Sequence, residues 1–187
     1  RDILSKCILT NLNGSKANPQ SIPLYIWSNV SINGRPVIGT VVYDEVKINN
    51  NLPEQIEQKI ELLSIIFLHQ FTHILGFNKT LLLENNIIKE NVYKSRLNNS
   101  ESIHKYAVIS ESVLKLSRTY FNCSNLTSLE LDSEISLRDF EDLHWESRLL
   151  LGDYMTGDIY YLDQVISEFT LALFDSFDFY EINYYTG

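Results

Sequence analysis

The stretch from Pro53 to Gly76 constrains this chain more than any other. Pro53 stands where a first helical residue tolerates proline, and Glu54 and Glu57 suit the positive end of a helix. Ile56, Ile60, Leu63 and Phe67 recur at helical spacing. The pattern predicts a helix over about residues 53–75. Gly76 is the residue type favoured just past a helix end. His69 and His73 stand near that end, four residues apart. Residues at that spacing share one helix face, one turn above the other, so two imidazoles can share one metal ion. The spacing is that of the H-E-x-x-H zinc-peptidase helix, except that Gln70 stands where the glutamate would be.

The rest of the composition bounds the answer. A chain of 187 residues, 44% hydrophobic and 12% aromatic, suits one globular domain with a sizeable core. No apolar run reaches the roughly 18 residues of a membrane-spanning helix. A net charge of −9 without a basic cluster argues against nucleic acid or an anionic membrane as partner. The start at Arg1, without an initiator Met or signal-like segment, reads as a processed product or a piece of something longer. Cys7 and Cys123 could pair with each other, pair outside this stretch or stay free. N-x-S/T sequons begin at Asn13, Asn29, Asn78, Asn98, Asn122 and Asn125. A chain so rich in Asn and Ser makes several by chance, while a secreted protein could carry glycans on some.

Taken in order, residues 2–12 read as a short strand and 13–19 as a loop. Residues 22–30 and 36–43 read as strands around an Asn33-Gly34 turn, the second of them buried. The edge of that pair is a candidate for an extended peptide to dock by strand addition. Asn49 to Leu52 is loop-like. Residues 78–104 look irregular, with a short helix in 81–97 and a surface loop at 98–100. Residues 105–110 read as a strand and 111–122 as a helix with Val113, Leu116 and Tyr120 on one face. Residues 123–143 lack a clear period. Glycines on either side of Met155 favour a tight turn, and 163–179 reads as a last helix. Nothing divides the chain, so 1–187 is taken as one domain, with the sheet and long helix in 1–77 and the remainder in 78–187.

A catalytic zinc commonly takes three protein ligands and leaves a fourth place open. The compact motif would put the third ligand at Lys79, which cannot serve while protonated, leaving His104 and His144 among the histidines. The ordered segments settle on a family. Gly34 to Gly39, His69 to Phe77, Ala107 to Glu130, His144 to Leu149, Asp153 to Gly157 and Phe169 to Leu173 with the tail to Tyr184 resemble, in order, segments of leishmanolysin, a surface zinc endopeptidase of the metzincin group. In that family an insertion separates the second and third histidines. The resemblance covers about residues 35–185. It implies an α+β fold with a long active-site helix on a twisted sheet, a mainly helical or irregular lower half and a cleft between them. It also implies Zn2+ on His69, His73 and His144, with Met155 in a methionine turn beneath it. Protein or peptide substrates and an extracellular or cell-surface location follow from the same likeness.

The departures carry the functional question. Most family members have glutamate where Gln70 stands, a propeptide before this region and a cysteine-rich domain after it; the usual partner of Cys123 would lie beyond Gly187. Glutamine matches glutamate in size but cannot accept a proton at neutral pH. The expectation is a zinc-loaded domain with impaired catalysis, acting as a binding or structural module in a larger protein assembly. The alternatives are an active endopeptidase using another base and a relative that has lost zinc. Gln70 fits a natural pseudopeptidase or a substitution trapping an inactive form, and the other departures favour the first. Glu130 and Glu134 are read as solvated acids, His104 as a surface histidine. Phe174, Phe177, Phe179, Tyr180, Tyr184 and Tyr185 are read as core and domain contact, part of the run serving as a docking surface.

Overall fold

The structure, a computed structural model, describes residues 24–32, 35–43, 54–94, 102–132, 143–157 and 164–184. Strands β1 (Leu24–Ile32) and β2 (Arg35–Tyr43) form an antiparallel pair with register shifts around Val30. Helix α1 (Ile56–Leu75) follows, then the short helix α2 (Lys79–Glu84). Strands β3 (Ile88–Lys94), β4 (Ser102–Val108), β5 (Leu129–Asp132) and β6 (His144–Trp145) make an antiparallel sheet in sequence order. Helix α3 (Glu111–Tyr120) connects β4 to β5, and α4 (Glu168–Phe174) comes last. Mixed helix and antiparallel sheet agrees with the α+β expectation at that level. The expected strand at 2–12, the loops at 13–19, 49–52 and 98–100, the Asn33-Gly34 turn, Pro53, Glu134, Cys7 and Tyr185 lie outside the described residues.

Several sequence expectations shift. The stripe Ile56, Ile60, Leu63, Phe67 is not the buried face of α1. Ile56 and Ile60 are exposed, and Leu62, Ile66, His69, Thr72 and His73 are buried instead. This helix carries apolar residues on more than one side, so periodicity found a real apolar stripe but could not say which side the rest of the chain would cover. In α3 the buried residues are Val113, Leu114 and Ser117, while Tyr120 is exposed. The described side chains of β2 are not buried as expected: Val37 and Ile38, which alternate across the strand, are both exposed. The irregular stretches at 78–104 and 123–143 contain β3 and β5, whose polar residues hid their pairing with β4. The last helix spans only α4; from Asp175 the chain turns through Phe179.

The core lies between the four-stranded sheet and α3 and α4. Trp145, Phe77, Phe177, Leu82, Leu131 and Val113 are among its fully buried side chains. The C-terminal aromatics are mostly core: Phe174 and Phe177 are buried, Phe179 and Tyr180 pack on them, and Tyr184 is exposed. Two glycines set how the chain passes around α1. Gly39 on β2 runs so close to the helix that a Cβ there would come within 2.1 Å of Ile74 Cγ2. Gly76 stops α1 at φ 148, its N–H donating to Thr72 and His73 carbonyls, and a Cβ there would meet Phe177 Cζ at 3.0 Å. Gly76→Ala is therefore expected to destabilise the fold by about 1–3 kcal/mol, the usual scale of such backbone strain; urea unfolding of the two forms measures it.

The described sequon asparagines differ in burial. Asn78 is buried, its Oδ1 accepting from Leu81 N at 2.9 Å to cap α2 and its Nδ2 donating to His73 O at 3.2 Å, so it has no amide to offer a glycan. Asn122 and Asn125 are exposed.

Candidate metal centre

Three features bring three distant imidazoles together. Helix α1 supplies His69 and His73 from one face. The sheet supplies His144, because β6 pairs with β5 so that His144 lies opposite Asp132 and Trp145 opposite Leu131. Trp145 then fixes the strand in the core, its N–H donating to Met155 O at 2.9 Å and its Nε1 to Thr170 Oγ1 at 2.8 Å. The result is three buried Nε2 atoms at mutual distances of 3.0, 3.1 and 3.2 Å.

Their protonation follows from the partners on the far side of each ring. His69 Nδ1 lies 2.6 Å from Tyr154 O and His73 Nδ1 2.7 Å from Phe77 O. A carbonyl can only accept, so each Nδ1 carries the proton and each Nε2 points a lone pair inward. His144 Nδ1 is buried without a hydrogen-bond partner among the described residues. Burial lowers His73 to about 4, against the pull of its Phe77 hydrogen bond. Burial, with repulsion from His73 and His69, holds His144 well below the ordinary imidazole value. These are neutral, ligand-ready imidazoles.

A single proton cannot satisfy three nitrogens that face one another, whereas one cation can accept all three lone pairs. For a tetrahedral zinc with bonds of about 2.0–2.1 Å, ligand nitrogens stand about 3.3–3.4 Å apart, close to the spacing observed. The three histidines could hold a metal ion, and the donor set of neutral imidazoles suits zinc. Gln70, on the turn of α1 between the two histidines, is partly buried.

The turn around Met155 is built from within. Met155 is fully buried, and Asp153 beside it is 3% exposed. Asp153 accepts from Met155 N at 2.6 Å, Thr170 Oγ1 at 2.9 Å, Ser167 N at 3.3 Å and, in a short contact, Ser167 Oγ. Burial raises its carboxyl, with those four donors opposing the rise. Through it the turn is tied to the start of α4, and through Thr170 to Trp145. Tyr154 accepts from His69 with its carbonyl and meets Thr72 Oγ1 with its hydroxyl at 2.8 Å. Burial pushes that phenol up to about 12, so it remains a donor. The sequence reading took Asp153 and Tyr154 only as members of the 153–157 segment, and gave Thr72 no role. The available signal was only that histidine ligands nearly always need an acceptor behind them. Asp153→Ala would strand several buried donors and is expected to cost on the order of 3 kcal/mol, read as a fall in the denaturation midpoint.

Among the described side chains, only His69, His73 and His144 form such a cluster. Lys79, at the compact-motif position, opens α2 with its ammonium 4.8 Å from the Tyr106 ring centre. His104 lies on β4 opposite Val92, its side chain outside the described residues. Glu130 is tied to Lys105 and Arg148. Burial works to raise Glu130, but the Lys105 hydrogen bond and the Lys105 and Arg148 charges outweigh it, so the carboxyl stays below its usual range. Such an acid is held by cations rather than waiting for a proton. Cys123 is exposed and has no disulfide partner among the described residues.

No helix among the described residues is long and apolar enough to cross a membrane. No curated protein is a significant match to the chain. The sequence pattern of the leishmanolysin family covers residues 16–187. With three histidines in place to hold a metal, the chain belongs to the leishmanolysin family of metallopeptidases.

Proposed function

We propose that this domain holds one Zn2+ on His69, His73 and His144 and is catalytically impaired, serving as a binding or structural module that retains a peptidase cleft. The observation that carries the metal reading is the convergence of three Nε2 atoms at 3.0–3.2 Å with protonated Nδ1 atoms behind two of them. The family is zinc-dependent, which supports zinc over other cations. Zinc, when bound, acidifies a water and polarises a carbonyl.

What the chain's own residues supply is incomplete at one place. Gln70 can hydrogen-bond a water through its amide but cannot take its proton. Glu130 is committed to Lys105 and Arg148 and does not replace it. Met155, held by Asp153 and Trp145, forms the turn that supports the histidines from below the site. Strand β2 pairs with β1 alone among the described strands, so its other edge can take an extended peptide by main-chain hydrogen bonds. Exposed Val37 and Ile38 flank that edge. Peptide or protein segments are the ligand class this geometry suits, and an extracellular or surface setting accords with the family.

The test is metal analysis together with a cleavage assay on the purified chain. The expected outcome is about one zinc per chain with cleavage barely above a chelated control. Brisk chelator-sensitive proteolysis would remove the impairment, and a zinc-free protein that takes up none would remove the metal.

A further inference from the structure

Tyr154 grips α1 at two points, and we infer that it is a positioning residue that sets how tightly the metal is held at His69. The inference rests on the metal centre proposed above. The first point is the main chain: Tyr154 O accepts from His69 Nδ1 at 2.6 Å. The second is the side chain: its hydroxyl lies 2.8 Å from Thr72 Oγ1. Thr72 Oγ1 gives its own proton to Leu68 O at 2.8 Å, so the phenol is the donor in this pair.

The two contacts fall on the same turn of the helix, Leu68 to Thr72, that carries His69. One contact alone would let the carbonyl slide along the imidazole edge. Two contacts, joined by a rigid ring that is 5% exposed, fix the carbonyl relative to the helix and thereby the direction of His69 Nε2. Tyr154 is itself anchored, its N–H donating to Val165 O at 3.0 Å, and Asp153, the residue before it, accepts from the N–H of Met155, the residue after it, and from Thr170 Oγ1. The groups behind a ligating histidine matter to affinity by about 10–100-fold in general. Here the carbonyl cannot be mutated, and the hydroxyl that aims it can.

The hydroxyl can also be removed cleanly. In Tyr154→Phe, Thr72 keeps its donor bond to Leu68 O, so the helix loses nothing of its own. A second tyrosine serves as control: the Tyr180 hydroxyl donates to Leu75 O of the same helix at 2.8 Å, in a more exposed contact past the turn that carries His69. Zinc dissociation constants, by competition with a chromophoric chelator, and the visible absorption of the cobalt-loaded protein are measured on the full chain. Tyr154→Phe is expected to weaken zinc about tenfold and to alter the cobalt bands. Tyr180→Phe should leave both unchanged, although both variants lower the metal-free melting temperature slightly. Thr72→Val, which removes the acceptor, should match Tyr154→Phe, and Thr72→Ser, which retains it, should restore parental affinity. A Tyr154→Phe constant within twofold of the parent, or equal weakening by Tyr180→Phe, overturns the clamp while leaving the metal centre standing. A parent that binds neither zinc nor cobalt overturns both.

Discussion

Replacing Gln70 by glutamate is expected to raise chelator-sensitive peptide cleavage by about 10²–10⁴-fold, the usual contribution of a positioned general base. The substitution changes one amide for one carboxylate of nearly equal size, and glutamine and glutamate have similar helix propensity. The fold should not register it. The three histidines are untouched, so zinc content should stay the same. What changes is the one group on the His69–His73 turn that can accept a proton from an attacking water and return it to the leaving amine. The gain should carry a signature in pH. The variant's rate should rise as the introduced carboxyl ionises, and the parent's residual rate should lack that limb. The assay compares both forms at equal zinc loading on an unstructured peptide, with a chelator blank for each. Equal, high rates in both would mean another base already serves and would sink the impairment. Equal, negligible rates would mean that Gln70 is not what limits the site.

His144→Ala is expected to abolish stoichiometric zinc and with it the zinc-dependent part of stability. A ligand at about a thousand times its dissociation constant stabilises a fold by about 4 kcal/mol. For a chain of this size each kcal/mol moves the melting temperature by about 2–4 °C. The parent should therefore melt on the order of 10 °C higher with zinc than without it, and the variant at one temperature in both. The effect should be large because His144 belongs to a different element from the other two histidines. With it, a bound metal would tie β6 to α1, elements separated along the chain by two helices, α2 and α3, and three strands, β3, β4 and β5. Without it, zinc could touch only neighbouring turns of a single helix. A variant that kept the zinc shift would show that the cluster of Nε2 atoms is not the binding site.

Exposed apolar residues on α1 are a separate lesson. Ile56, Ile60, Phe71 and Leu75 are each at least about half exposed, although the first two belong to the stripe at helical spacing. Hydrophobic period reports a stripe, not its cover. On a helix apolar on two sides, the side that is buried is chosen by where the sheet and the closing segment arrive. The same limit explains the missed β3 and β5. Each is short or polar, and each is a strand because β4 offers it hydrogen bonds.

The sequence by itself determined the local parts of the site. The His69–His73 spacing puts both rings on one face because a helix repeats every ~3.6 residues, and Gly76 ends the helix because its φ of 148 suits a residue without a Cβ. His144 and Met155 were legible only through likeness to a family, since no local rule links them to α1. The tertiary structure decided the rest. It set the 3.0–3.2 Å approach of the three Nε2 atoms through the pairing of β5 with β6. It buried Asp153 as the acceptor for four donors. It also placed Tyr154 against both His69 and Thr72. The contacts of His144 with His69 and His73, and of Tyr154 with His69 and Thr72, join residues more than 70 positions apart. Their energy comes from closing the whole chain around a core, and no window of sequence contains it.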